Sequence, residues 1–458
     1  MTESGNLPKI AGVHFKRFEK VLSNILPIVE PEYVCLPPAC RSESEDWPFH
    51  DYLPHSARIW GDHPGQLKDR RRAARKEGQI RSLLRCIMRL VPANTECTIV
   101  DFGGGSGHLA LPLALLLPNA VVCVVDLRKH SLDLMHNKAN LVVEEVLQSQ
   151  EYRRFMRPNV HKSGNTMKCC GKDGVLTNLF AWHGPVESFH ERLDLGLALH
   201  LCGEATDVAL RRAGDSGAMG IVVAPCCVGK LSTRAMNPDV YHATGFHQAT
   251  RTISYPQSSL FCRLISDQDD WDKLAKAADY SNELEFNTVQ NAPRRTAKAL
   301  VETDRRLFLQ ERYQYKTALL KMDPLESTPK NDIIVAWKPA LAKIDDSLFG
   351  ERDSESSRDV EMTRTQLAEG TCSAGSVNWS EQEEAEIAVV IVGFLQQTKG
   401  TAKEFKSFIF PTQMGGRKRK LIHYVASKMD LAHWSVGDKS IDKTVAIARR
   451  RRKRSRSE

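Results

Sequence analysis

The chain has 458 residues, a formal net charge of +8, and 41% hydrophobic and 26% charged residues. That length holds two or three domains with a sizeable core, in the proportions of an ordinary soluble protein. The opening Met-Thr-Glu-Ser-Gly-Asn lacks the basic and apolar regions of a secretion signal, so the 12 irregularly spaced cysteines are expected to be reduced intracellular thiols.

Residues 1–60 contain Pro27, Pro31, Pro37, Pro38 and Pro48 and read as an irregular N-terminal extension. From Lys68 to Leu90 the pattern turns helical, with Ile80, Leu83, Leu84 and Ile87 forming one apolar stripe. Lys68, Arg70, Arg71, Arg72, Arg75 and Lys76 open that helix as a basic face. Solvated surface and a contact to RNA phosphate explain it equally well. Ile99–Phe102 is a short apolar strand, and Val121, Val122, Val124 and Val125 form a second that ends at Asp126. The apolar stretch between them is broken by Pro112, Pro118 and Asn119. It predicts a buried helix followed by a strand, not a membrane span.

Further strands are predicted at Val175–Phe180, Leu193–Leu201 and Ala218–Ala224, with a long helix over Thr296–Arg312. Tyr315–Met322 and Asp332–Lys338 are joined by a link too short for a helical crossover and should pair antiparallel. Residues 61–340 thus predict one α/β domain, Rossmann-like, with a mostly parallel sheet that ends in an antiparallel hairpin. Residues 341–379 are rich in Asp, Ser, Glu, Thr and Gly and read as a flexible linker. Order resumes at Ser380-Glu381-Gln382-Glu383, a capping-box pattern, and a small α+β domain is expected over 380–448. The tail 449–458 carries seven basic residues and one acid, so it supplies most of the net charge. Such a block suits an import receptor or an anionic polymer.

The strongest chemical signal is Asp101-Phe102-Gly103-Gly104-Gly105-Ser106-Gly107 between the first two strands. Glycine permits the unusual dihedrals of a loop that passes close to a ligand. An acid about twenty residues downstream, at a strand tip, suits the two hydroxyls of a ribose. A dinucleotide fingerprint needs a sixth-position glycine, where this chain has His108. The pattern Asp101-x-Gly103-x-Gly105-x-Gly107 resembles motif I of the class I S-adenosylmethionine-dependent methyltransferases. The resemblance implies S-adenosyl-L-methionine as cofactor, with the loop along its methionine end and Asp126 on its ribose. The expected cofactor set is Asp101, Gly103, Gly104, Gly105, Gly107, Asp126 and His200.

A second motif runs His200-Leu201-Cys202-Gly203-Glu204-Ala205-Thr206-Asp207, followed by Pro225-Cys226-Cys227-Val228-Gly229-Lys230. Together they resemble a group of methyltransferase domains that includes the tRNA acceptor-stem ribose methyltransferases. The methyltransferase-like half of the glutathione-transferase C-terminal-domain-containing proteins belongs to the same group. The likeness spans about residues 65–340. The chain departs from the tRNA enzymes at Leu199, where they have lysine, and at Val228-Gly229, where they have two histidines. Their N-terminal zinc-binding cluster is also missing. His200 is the expected proton acceptor, assisted by Asp207 or Lys230, its alternative role being a structural hydrogen bond that closes the loop. No Asn/Asp-Pro-Pro-Tyr follows the fourth strand, which argues against an adenine amino acceptor. Cys169-Cys170 and Cys226-Cys227 are adjacent pairs without Cys-x-x-Cys spacing, so packing thiols are expected and no metal. Tyr241, His242, His247, Arg251, Tyr255, Pro256 and Gln257, in the insertion Leu231–Asn291, form either a nucleobase clamp or an ordinary polar excursion.

In the terminal domain, Arg419 and His423 stand four apart on one predicted helix and so share a face. With Phe410-Pro411, Leu431, His433, Ser435, Gly437 and Thr444–Ile447, they resemble the small single-strand nucleic-acid-binding domain named for an arginine and a histidine separated by three residues. Lys443 stands where that family often has arginine. The resemblance implies nucleic-acid contacts from Arg419, Lys420, His423 and Lys443, with Lys399, Lys403, Lys406, Arg417 and Lys418 adding charge for phosphates. The reading is an S-adenosylmethionine-dependent methyltransferase acting on RNA in the nucleus or cytoplasm, with no membrane contact. Two alternatives stand beside it. One is an RNA-binding adaptor that retains the fold without catalysis, the other a methyltransferase of proteins or small molecules.

Overall fold

Eight strands share one sheet, and the apolar runs of the sequence account for most of them. The computed structural model describes residues 18–36, 53–58, 67–92, 94–157, 167–232, 253–279, 291–339, 354–369, 381–398 and 408–410, with parts of 419–449. They belong to two units, Met1–Ala374 and Gly375–Glu458.

In the first unit, helix α1 (Leu67–Leu90) precedes β1 (Thr98–Phe102), α2 (Ala110–Leu116), β2 (Val121–Asp126) and α3 (Lys129–Gln148). Then come β3 (Lys168–Cys169), β4 (Leu179–His183), β5 (Leu195–Leu199), α4 (Glu204–Asp215) and β6 (Gly220–Ala224). Helices α5 (Ser259–Leu264), α6 (Gln268–Ala278) and α7 (Ala292–Tyr313) lead into the hairpin β7 (Lys316–Lys321) and β8 (Asp332–Trp337). The order across the sheet is β3-β4-β2-β1-β5-β6-β8-β7. Strands β4, β2, β1, β5 and β6 run parallel, and β8 and β7 close the edge antiparallel.

Period-two alternation divides the core between the two faces of the sheet. Ile99, Val122 and Val124 pack with Ile80, Leu83, Leu84 and Ile87 of α1. Val100, Phe102, Val121, Cys123 and Val125 face the other way, with Ala209, Leu210 and Ala213 of α4 and Phe308 of α7. Strand β1 lies between β2 and β5, so the chain reverses its direction of travel across the sheet there. Ligands of open α/β sheets bind at the carboxyl ends of strands at that point.

Three expectations need correction. The third strand begins at Leu179, not Val175. Leu176 has a φ of 54°, and Asn178 Nδ2 donates to the carbonyls of Ala114, Leu117 and Ala120, so residues 175–178 cap the end of α2. The expected linker contains helix α8 (Ser354–Glu369), which docks on α7. Val360 and Thr363 are buried, and Asp359 takes two hydrogen bonds of 2.6 and 2.7 Å from Arg295. Small polar groups make much of this contact, so composition concealed it. The N-terminal extension is helical over 18–25, where Phe18, Val21, Leu22 and Ile25 join Trp271 and Leu300 in a third cluster.

A chain of buried charges runs through α7. Arg305 donates to both carboxylate oxygens of Asp207, at 2.8 and 2.7 Å, and reaches Glu302 at 3.0 Å. Lys298 bridges Glu302 at 2.7 Å and Asp332 at 3.0 Å. Lys321 meets Asp332 at 2.6 Å, and the Tyr33 hydroxyl donates to the same carboxylate at 2.7 Å. Signs alternate along the chain, so each desolvated charge has an opposite neighbour.

In the second unit, α9 (Glu381–Thr398) packs with β9 (Phe408–Ile409), β10 (Leu431–Val436) and β11 (Thr444–Arg449). The strands form an antiparallel sheet of order β10-β11-β9. Ile387, Ile391, Phe410, Leu421, Ile422, Val425 and Ile447 share its core. Arg449, expected in the basic tail, is the last residue of β11.

Replacing Arg305 by methionine strands Asp207 and Glu302 in the interior. The expected loss is about 3–5 kcal/mol of folding free energy, as for a buried pair that loses one partner. Chemical denaturation of wild type and Arg305→Met measures it, and a loss below 1 kcal/mol would show that the network contributes little.

Candidate active site

The loop after β1 carries the sequence-predicted glycines in the conformations that select glycine. Gly103, Gly105 and Gly107 have φ of 68°, 61° and 72°. Space selects it as well: a Cβ on Gly103 would lie 2.6 Å from Leu201 Cδ1, and one on Gly107 2.6 Å from Met135 Cγ. The first contact joins the glycine loop to the His200–Asp207 motif. Helix α2 begins at Ala110.

Two carboxyl groups lie against this loop. Asp126 Oδ2 accepts a 3.0 Å hydrogen bond from the Gly105 amide, and its Oδ1 accepts one of 2.7 Å from the Arg128 amide. This ties the tip of β2 to the loop. Asp101 lies beside Gly104, where a Cβ would fall 2.3 Å from its Oδ2. Both Asp101 oxygens are buried without a hydrogen-bond partner. Burial therefore pushes its pKa up to about 7, against the pull of Lys76 and with a further push from Asp126. A cation near the loop would supply the missing compensation.

The second motif turns sharply at the end of β5. His200 has a φ of 65° and Gly203 of 60°. His200 Nε2 lies 2.7 Å from Gln79 Oε1, while Gln79 Nε2 donates to the Ser327 carbonyl at 2.7 Å. The amide is thereby oriented so that His200 Nε2 carries the proton and Nδ1 keeps its lone pair. Burial, then the nearby Lys76, lowers the His200 pKa to about 4, so the ring is neutral at pH 7. His108, against Lys138 at 3.2 Å, is likewise lowered to about 3, mainly by burial.

The structure brings His200 and Lys230 to the same turn, since a Cβ on Gly203 would meet Lys230 Cβ at 2.8 Å. Asp207 does not join them. It is fully buried and occupied by Arg305, by the Tyr255 hydroxyl at 2.7 Å and by Gln257 Nε2 at 2.7 Å, which leaves it no part in proton transfer. Tyr255 is buried and stacked on Trp271 at 5.7 Å, so it is no nucleobase platform. Tyr241, His242, His247 and Arg251 lie outside the described residues.

Sequence reasoning missed Gln79 and Lys76, both on α1. Lys76 had appeared only as part of a basic face, yet it is partly buried and acts electrostatically on Asp101, Cys226, His108 and His200. Only the docking of α1 on the sheet shows this. Sequence reasoning also treated the Cys226-Cys227 pair alone. Cys202 joins it, with Sγ–Sγ distances of 3.1 Å to Cys226 and 3.5 Å between Cys226 and Cys227. Hydrogen bonding with Cys202 and Cys226 holds Cys227 below the usual thiol range, and hydrogen bonding with Cys202 and Cys227 pushes Cys226 above it.

In the second unit, Arg419 is helical, as are residues 421–423. His423 Nδ1 is 2.9 Å from His433 Nδ1 on β10, and burial with that neighbour lowers its pKa. Lys420 and Lys443, like Lys399, Lys403, Lys406, Arg417 and Lys418, lie outside the described residues.

Residues 75–234 match the family model described as a methyltransferase domain. That match covers 160 of the 458 residues. Among curated proteins it is 30% identical, over 269 residues, to the glutathione S-transferase C-terminal domain-containing protein homolog of Drosophila melanogaster, covering 58% of this chain and 37% of that one. It is 26% identical over 296 residues to the Xenopus laevis protein of that name, covering 65% and 38%. The chain thus spans little more than a third of the length of these relatives. Among solved structures it is similar to magnesium protoporphyrin IX methyltransferase from Synechocystis PCC 6803 with bound SAH. That match has 13% identity, 63% and 97% coverage and a TM-score of 0.33.

The cofactor expected from motif I is S-adenosylmethionine. The residues present fit it: a positive-φ glycine loop, an acid at the tip of β2 for the ribose, and an uncompensated carboxyl at Asp101 for a cationic ligand. When bound, the cofactor supplies an electrophilic methyl group on a sulfonium.

Asp126→Ala should weaken cofactor binding by about 2–4 kcal/mol, through loss of charge-assisted hydrogen bonds. Calorimetry on the folded variant checks this, and unchanged affinity would remove Asp126 from the site. A second expectation concerns Asp101. Its folded pKa of about 7 lies above the usual carboxylate value, so the native state binds the extra proton between about pH 4 and 7. Stability from this group is therefore present at low pH and falls as pH rises through that window. Asp101→Asn should flatten the decline, measured as thermal midpoints of both proteins from pH 5 to 8. Parallel curves would show that Asp101 is not held protonated.

Proposed function

We propose that this chain is an active S-adenosylmethionine-dependent methyltransferase whose substrate is RNA. The observation that carries the reading is the pairing of two units. One has the glycine loop with Asp101, Asp126 and a neutral His200. The other carries Arg419 and His423, both helical, in a region rich in lysine and arginine. Methyl transfer from a sulfonium is an in-line displacement, so positioning supplies much of its rate. The glycine loop and Asp126 hold the cofactor, while Gln79 orients His200 and leaves Nδ1 as the acceptor for the proton of an attacking hydroxyl. Arg419 and the surrounding basic residues recruit a phosphate backbone.

The rival reading, an adaptor without catalysis, shares the fold and the second unit. It departs at His200: an adaptor has no need of an oriented tautomer at that position. Incubation of the purified chain with labelled cofactor and fractionated cellular RNA, protein and metabolites tests substrate class directly. Label in RNA that falls at least about 100-fold with His200→Ala is the expected result. Label confined to protein or metabolite would overturn the RNA assignment, and no label in any fraction would favour the adaptor.

Recruitment is tested separately. A chain ending at residue 374 keeps α8 on α7 and should retain cofactor affinity while losing RNA affinity and salt dependence. Arg419→Ala with His423→Ala in the full chain should reproduce part of that loss. RNA binding is measured over a salt series. An unchanged affinity and slope in the shortened chain would move the RNA site to the methyltransferase unit.

A further inference from the structure

The ends of β5 and β6 bring three thiols together. Among the described residues, Cys202, Cys226 and Cys227 form a group of metal-ligating side chains with all donor atoms within 4.8 Å of one another. Two come from adjacent positions after β6 and one from the turn after β5, so the cluster links two separate loops. The turn at Cys202 is kept in shape at a cost. His200, a non-glycine residue, sits at φ 65°, a conformation that side chains with a Cβ rarely adopt. Arg305 Nη2 donates to the Gly203 carbonyl at 3.3 Å, and the Thr206 hydroxyl to that of Leu201 at 2.5 Å. The chain is thus held in the path that delivers Cys202 Sγ to the other two.

We propose that Cys202, Cys226 and Cys227 bind one thiophilic d10 cation, Zn2+, as a three-thiolate site that ties the β5 and β6 loops together. Soft thiolates select such ions. With Zn–S bonds of about 2.3 Å, tetrahedral geometry places sulfurs about 3.8 Å apart. The 3.1 and 3.5 Å separations between neighbouring sulfurs therefore need only sub-ångström opening. Each thiol that enters as S–H releases its proton to solvent as its Zn–S bond forms, and no electron is transferred. Three thiolates and one Zn2+ leave a single net negative charge. Lys330 Nζ, 3.7 Å from Cys227 Sγ, and Lys230, against Gly203, lie where they offset it. This inference is independent of the substrate assignment.

The test uses the full chain, purified in a phosphine reductant and stripped with a chelator. Zn2+ is titrated in competition with a chromophoric chelator, and the protein is then alkylated and mapped by mass spectrometry. The expected result is one Zn2+ per chain and at least tenfold slower alkylation of Cys202, Cys226 and Cys227. The exposed Cys169 and Cys262 should continue to react at their original rates. Cys227→Ser should lose stoichiometric binding, while Cys262→Ser keeps it. If Cys227→Ser does not fold, the wild-type alkylation map decides alone. Absence of bound Zn2+, or Zn2+ that leaves the three rates unchanged, would overturn the site. A Cys202–Cys226 disulfide persisting in the reductant would do the same.

Discussion

The chain of alternating buried charges along α7 is the constraint on which the site depends. Six ionised groups, Asp207, Arg305, Glu302, Lys298, Asp332 and Lys321, lie almost entirely out of water. Desolvation makes each of them costly alone, and the Coulombic attraction of its neighbours offsets that cost only in the observed order. Their positions are therefore coupled. Arg305 joins α7 to α4 through Asp207 and holds the Gly203 carbonyl, while Lys298 and Lys321 join α7 to the hairpin through Asp332. The turn that carries His200 and Cys202 is thus set by a helix nearly a hundred residues away.

The glycine loop obeys a different constraint, steric rather than electrostatic. Its glycines are required where Leu201 and Met135 approach the backbone. The two loops meet at the first of these contacts, so the cofactor loop and the second motif are packed as one surface. Asp126 reinforces it by accepting from Gly105, and Asp101 remains uncompensated behind it. A site arranged this way has its recognition groups placed before any ligand arrives, which reduces the ordering cost of binding.

Charges were the hardest feature to read from sequence. Asp207 follows His200 by two helical turns and looks available to assist it. In the fold it faces Arg305, Tyr255 and Gln257, three residues at least 48 positions away. Lys76 shows the converse, a residue in a run of surface-like cations that lies against the site. Helix α8 was hidden because Thr363 and Asp359 make its contacts by hydrogen bonding, which leaves no apolar stripe to detect.

By itself the sequence determined what depends on local spacing. The parallel strands, the glycine loop with Asp101 and Asp126, and the antiparallel hairpin all follow from period, steric permission and turn chemistry. Those signals lie within about twenty residues of one another, so no long-range information is needed. Tertiary structure alone decided which polar groups meet: Gln79 with His200, Arg305 with Asp207, and Cys202 with the Cys226-Cys227 pair. Such contacts join segments 24 to 121 positions apart. They depend on how helices dock on the sheet, and hydrophobic periodicity sets which face docks without naming the partner of a buried charge or thiol.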